Sequence, residues 1–240
     1  TTAAHVNSTA IGRGTMRGVL TAGSSGTVAI GLSALAALTS GANNVAVGFE
    51  SGKVLTTGVQ NTLLGYRSGF DLNEGGRNTA VGYLAFGGAL DANGDESFDN
   101  TFVGTGAGSG AWVTAVSNKN TAVGSQTMIG AMNGALDNTA VGYGALTALT
   151  TGDNNVAIGK STAVALTTGD SNITIGTNTL GIATSAEDVV LIGASAGYAI
   201  NNDAADGTVA VGRSALAALT TGAGNVAIGY TAMNDVVEGA

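Results

Sequence analysis

The chain of 240 residues has no cysteine, no proline, one histidine, one tryptophan and only 24 charged side chains, 8 basic and 16 acidic. Without cysteine there are no disulfides and no thiolate metal sites. Without proline, and without glycine at every third position, collagen is excluded although 40 residues are glycine. A single histidine, His5, leaves a serine–histidine–acid triad without a credible base. A net charge of −8 with so few Lys and Arg disfavours nucleic acid and anionic membrane as partners. No apolar run reaches about 18 residues, so no membrane insertion through a helix is expected. Thr1-Thr2-Ala3-Ala4 offers neither the basic nor the apolar region of a signal peptide, so a secreted form would be a mature piece or a fragment. These absences predict a protein without cofactor or catalysis. Because 44% of residues are hydrophobic, the chain is nevertheless expected to fold.

What the chain does have is repetition. A phrase returns as Asn44-Val-Ala-Val-Gly48, Asn61-Thr-Leu-Leu-Gly65, Asn78-Thr-Ala-Val-Gly82, Asn138-Thr-Ala-Val-Gly142, Asn155-Val-Ala-Ile-Gly159, Asn172-Ile-Thr-Ile-Gly176 and Asn225-Val-Ala-Ile-Gly229. Weaker copies end at Gly12, Gly31, Gly104, Gly124, Gly193 and Gly212, giving 13 copies whose glycines are most often 17 residues apart and never closer. The phrase reads as a strand of about five residues. Alternation places Val156 and Ile158 on one face and Ala157 on the other. The small alanine implies close packing, either against the turn of its own coil or against a neighbouring subunit. A coil of 17 residues cannot bury its apolar side alone, so coils must stack. Thirteen strands at about 4.8 Å make a rod of roughly 60 Å.

Between phrases, as in Gly142-YGALTALTT-Gly152, the spacing of Ala145, Leu146 and Leu149 favours a short helical turn, with a second short strand as the alternative. The glycine after Leu-Thr-Thr suits a left-handed C-cap. The predicted fold is therefore mainly β: one solenoid domain over 1–240, with irregular insertions at 86–119 and 195–207. The missing proline suits such a stack, which has little room for a residue without an N–H.

Asparagine opens nine of the copies, at Asn44, Asn61, Asn78, Asn100, Asn120, Asn138, Asn155, Asn172 and Asn225. Stacked in register, these amides are expected to form a ladder capping turn carbonyls of adjacent coils. Recognition of sugar by the amides is the functional alternative. In the first insertion, Asp91, Asn93, Asp95, Ser97 and Asp99 alternate as calcium ligands do, without the glycine and glutamate of an EF-hand. Trp112, in the next, offers an aromatic contact for a ligand or a plug onto the rod. Gly159-Lys160-Ser161 echoes a P-loop, with Asn154 where that motif needs glycine.

Asn138-TAVGYGALTALTTG-Asp153 and Gly222-AGNVAIGYTA-Met233 resemble the Asn-Thr-Ala-Val-Gly-Tyr repeats of bacteriophage tail-fibre and related adhesive-fibre proteins. They are more distantly similar to the heads of trimeric autotransporter adhesins, whose unit is shorter. The resemblance implies a homotrimeric fibre, extracellular on a virion or cell surface, that attaches to polysaccharide or another receptor. The residues themselves predict a homo-oligomer, because lateral association would cover the second face of a thin coil. Two further readings are a self-assembling filament and an ice- or mineral-binding surface on the threonine pairs before Gly58, Gly152, Gly169 and Gly222.

Overall fold

The computed structural model describes residues 7–18, 22–88, 96–112, 115–201 and 205–239. All thirteen phrases form strands: β1 (Thr9–Ile11), β2 (Val28–Ile30), β3 (Val45–Val47), β4 (Thr62–Leu64), β5 (Thr79–Val81), β6 (Thr101–Val103), β7 (Thr121–Val123), β8 (Thr139–Val141), β9 (Val156–Ile158), β10 (Ile173–Ile175), β11 (Val190–Ile192), β12 (Val209–Val211) and β13 (Val226–Ile228). They make one parallel sheet in chain order, β1 to β13, each strand in register with the equivalent residues of the next. The protein is a parallel β-solenoid. Each strand is three residues rather than five, because the asparagine before it bonds through its side chain and the glycine after it turns.

The central strand residue faces into the coil and is buried, as at Ala46, Ala140 and Ala157, while its two neighbours face outward. Alanine therefore packs against the turn of its own chain, and the aliphatic pair forms the outer face. The phrase glycines stand one above another with φ between +126° and +142°, and a Cβ on Gly159 would meet the carbonyl group of Gly176. Both the dihedral and the space require glycine there.

The expected helical turn does not form between the phrases; no α-helix occurs among the described residues, and a short 3-10 turn stands at Ala22–Ser24. Instead the chain alternates in hand. In the coil after β8, Gly142, Gly144 and Leu146 have φ of +128°, +64° and +49°, with the residues between them at negative φ. Other coils repeat this, with Ser33 and Leu35 at +57° and +48°. Alternation frees the N–H groups to bond between coils: Ser33 N–H donates to the Arg13 carbonyl below (2.9 Å) and Leu35 N–H to the Ser51 carbonyl above (3.0 Å). Hydrogen bonding along the rod, rather than within a helix, offsets the cost of the left-handed residues. Ala145, Leu146 and Leu149 still point inward and are fully buried. Gly152 does not adopt a left-handed φ; it is glycine because a Cβ there would run into the Gly169 carbonyl, Leu149 and Asn155.

In several coils core volume is traded between the strand centre and the fourth residue after the phrase glycine; beside Ala46 and Gly52, both small, Leu35 and Leu63 of the adjacent coils fill the space. Where the centre is large, at Leu63, Phe102 and Leu191, the later residue is Gly69, Gly108 or Gly197, and a Cβ on each of these glycines would touch that same large side chain. Where the centre is Ala140, the later residue is Leu146.

Candidate binding surfaces

The asparagine ladder runs inside the rod. Asn155 Oδ1 accepts from the Asn172 backbone N–H (3.0 Å) and from Asn172 Nδ2 (2.9 Å), while Asn155 Nδ2 donates to Asn138 Oδ1 (3.0 Å) and to the Gly169 carbonyl (2.8 Å). The same pattern links Asn44 to Asn61 and Asn100 to Asn120 to Asn138. Every asparagine of the ladder is buried, so none presents an amide to sugar. The series lapses at Val189, whose N–H still donates to Asn172 Oδ1 (3.2 Å), and at Thr208, whose buried hydroxyl has no partner.

Trp112 is fully buried, and the expectation that it contacts a ligand is corrected by its place in the core. Its ring lies 4.7 Å from Phe86 and 5.5 Å from Phe102, centroid to centroid, and its Nε1–H donates to the Gly108 carbonyl (3.0 Å). The glycine opposite Phe102 leaves room for this cluster. Of the calcium candidates, Asp91, Asn93 and Asp95 lie outside the described residues. Ser97 is buried, its Oγ accepting from the Ser117 N–H (3.2 Å). Asp99 is held in a two-point pair with Arg77, at 2.6 and 2.9 Å, which keeps its carboxyl below the usual carboxylate range. Neither is poised as a ligand.

The threonine pairs are half committed. Thr150 Oγ1 donates to the Thr167 carbonyl (2.9 Å), Thr167 Oγ1 to the Thr184 carbonyl (2.9 Å) and Thr220 Oγ1 to the Val237 carbonyl (2.9 Å). These hydroxyls bind the next coil rather than water on a lattice. Lys160 is exposed on a turn that leads into no helix, so the P-loop echo has no phosphate cradle.

Two outer surfaces remain. The first is the outward side of the sheet. Its row nearer the glycine is Ile11, Ile30, Val47, Leu64, Val81, Val103, Val123, Val141, Ile158, Ile175, Ile192, Val211 and Ile228, aliphatic on every strand. Its other row holds only Thr, Val and Ile, so the face carries no charge from end to end.

The second is a local aromatic stack, one residue beyond the glycine in three successive coils. Phe49 and Tyr66 have centroids 5.1 Å apart and planes within 6°, and Tyr66 and Tyr83 are 5.2 Å apart within 11°. All three are exposed, at 38%, 40% and 53%. The Arg67 guanidinium lies 4.8 Å from the Phe70 ring centroid and 5.4 Å from that of Tyr66. Glu50 joins Lys53 and Arg67, each at 2.8 Å, and the Lys53 ammonium is the largest influence holding the Glu50 carboxyl below its ordinary value. The stack was readable from Phe49, Tyr66 and Tyr83 standing 17 residues apart (66 − 49 and 83 − 66) at one repeat position.

On another corner, Asp170 Oδ1 caps the Asp153 N–H (2.6 Å) and Asp153 Oδ1 caps the Leu136 N–H (2.7 Å). Burial pushes the Asp153 carboxyl up, and the charges of Asp170 and Asp137 add to the shift.

Fold and surface together define a repeat protein of the parallel β-solenoid class. No protein-family model and no curated protein matches the chain. Among the described residues no helix is long and apolar enough to cross a membrane.

Proposed function

We propose that this chain is a non-enzymatic structural and adhesive fibre segment: a rod that assembles laterally with copies of itself, as a homotrimer, and presents its remaining surface for attachment. The observation that carries this reading is the uncharged aliphatic face on all thirteen strands. A face about 60 Å long and about 10 Å wide offers about 600 Å² per copy, so a pair buries about 1,200 Å², the size of a stable interface. Exposed flat sheet faces without charge are ordinarily covered. Resemblance to adhesive fibres supplies the number three, the extracellular or virion location and the polysaccharide or receptor class of ligand. Catalysis has little support, since the chain holds a single histidine and no cysteine from which to build a nucleophile–base pair.

Multi-angle light scattering over a concentration series tests assembly. The wild type is expected at three times the mass of one chain, and Val123→Glu/Val141→Glu, which puts two charges on the face, at the mass of one. A wild-type monomer at all concentrations sinks the reading. A mass that climbs with concentration favours the open filament instead.

Within this reading the aromatic stack, and not Trp112, is the adhesive contact. Tyr66 and Tyr83 combine apolar edges and hydroxyls beside a guanidinium, the mixture that serves sugar and receptor surfaces. On a glycan array, Tyr66→Ala/Tyr83→Ala should lose at least about tenfold in apparent affinity for whatever the wild type retains, the effect of removing a pair of hot-spot aromatics. Unchanged binding would remove the stack from consideration.

A further inference from the structure

Thr62, Thr79, Thr101, Thr121 and Thr139 occupy the first outward position of five successive strands, β4 to β8, and pair rung upon rung. The same position is valine on β2 and β3, and valine or isoleucine from β9 to β13. The fold accepts either residue there, so the coil itself does not require a hydroxyl. Among the described residues, none of the five threonines makes a hydrogen bond through its hydroxyl. This sets them apart from Thr150 and Thr167, whose hydroxyls bind the coil above. All five are half-buried beside the aliphatic row.

A hydroxyl both donates and accepts. Identical hydroxyls at one height around an axis parallel to the rod can therefore each donate to the next copy and accept from the previous one. Among parallel copies, only the level arrangement brings Thr101 to Thr101 and every other threonine of the block to its own equivalent. A shift by one coil sets the end of one block against valine and leaves a hydroxyl in an apolar interface without a partner, which is costly. The aliphatic row cannot supply this discrimination, because Val81, Val103, Val123 and Val141 present the same rung four times over.

We infer that the five-threonine block is the register element of the lateral interface: among parallel copies of this chain it selects the level one. The inference rests on the assembly reading above and adds to it the alignment of the partner.

The cysteine-free chain permits a direct test. Chains carrying Val81→Cys or Val103→Cys, distinguished by mass, are refolded together and joined with a short thiol crosslinker. Level copies link Val103→Cys to Val103→Cys; copies shifted by one coil link Val81→Cys to Val103→Cys. Level links should exceed shifted ones by at least about tenfold, the effect of one unsatisfied hydroxyl. With all five threonines changed to valine, that excess should fall at least about fivefold at unchanged oligomer mass. A second variant, Thr62→Val/Val156→Thr, moves the block up by one coil. Mixed with unshifted chains, it should give shifted links as the main heterotypic product. Level links that persist unchanged in both variants overturn the inference while leaving assembly standing. A monomer in every mixture instead overturns the assembly reading and this inference with it.

Discussion

Replacing Asn155 with alanine should destabilise the rod by about 3–5 kcal/mol, measured as a fall in the urea midpoint at unchanged slope. The substitution removes an acceptor for the Asn172 backbone N–H and a donor for the Gly169 carbonyl, both fully enclosed between coils. Each buried group left unpaired costs about 1–3 kcal/mol, and the amide-to-amide bonds to Asn138 and Asn172 are lost as well. Neighbouring coils cannot close the gap, because their spacing is fixed by strand bonds such as Val156 N–H to the Asn172 carbonyl at 2.8 Å. Asn225 is the internal control. It stands beyond the lapse at Val189 and Thr208, and its side chain donates to the Gly222 carbonyl in its own coil at 2.5 Å. Asn225→Ala should cost no more than about 1 kcal/mol, the net value of one hydrogen bond. Equal losses at the two sites would show that the asparagines act one by one and that the ladder has no collective value.

The ladder was legible because its geometry follows from spacing alone: residues locked to a repeat stack when the repeat stacks. The same logic located all thirteen strands, since Asn-x-Ala-x-Gly combines a turn residue, alternation and a glycine stop. The conformation between strands was not legible. Ala145, Leu146 and Leu149 at i, i+1 and i+4 satisfy a helical stripe, but a turn alternating in hand directs the same three side chains inward. Periodicity reports which residues are buried and not how the backbone delivers them. Leucine at positive φ is also disfavoured in isolation, so no local signal predicts Leu35 or Leu146 there; bonding to the coils above and below imposes it. Of the two readings of Trp112, ligand contact or plug, burial agrees with the plug, but the partners it packs on were not legible. Its partners Phe86 and Phe102 lie 26 and 10 residues away (112 − 86 and 112 − 102), on coils whose alignment depends on how the insertions are accommodated. The aromatic stack is as regular in spacing as the ladder but spans only three coils, Phe49, Tyr66 and Tyr83, so it carries a weaker periodic signal.

The traded core volumes predict a second large effect. Phe102→Ala should cost about 3–5 kcal/mol, since it empties a fully buried position and withdraws the ring that lies 5.0 Å from Phe86 and 5.5 Å from Trp112. Gly108→Leu alone should also destabilise, by at least about 2 kcal/mol, because its Cβ would stand 2.7 Å from the Phe102 ring and its φ is +64°. Joined in one chain, the two changes recreate the pairing of Ala140 with Leu146 two coils further on. Leucine tolerates that backbone, as Leu35, Leu146 and Leu216 do at φ of +48°, +49° and +51°. The double variant should therefore lie within about 2 kcal/mol of wild type, with a coupling energy of at least about 3 kcal/mol between the sites. Simple additivity in urea unfolding would show that the two positions do not share one volume. A large coupling would show that the coil of Phe102 keeps its radius by exchanging bulk between its strand and its turn, which lets a strict backbone repeat carry an irregular core.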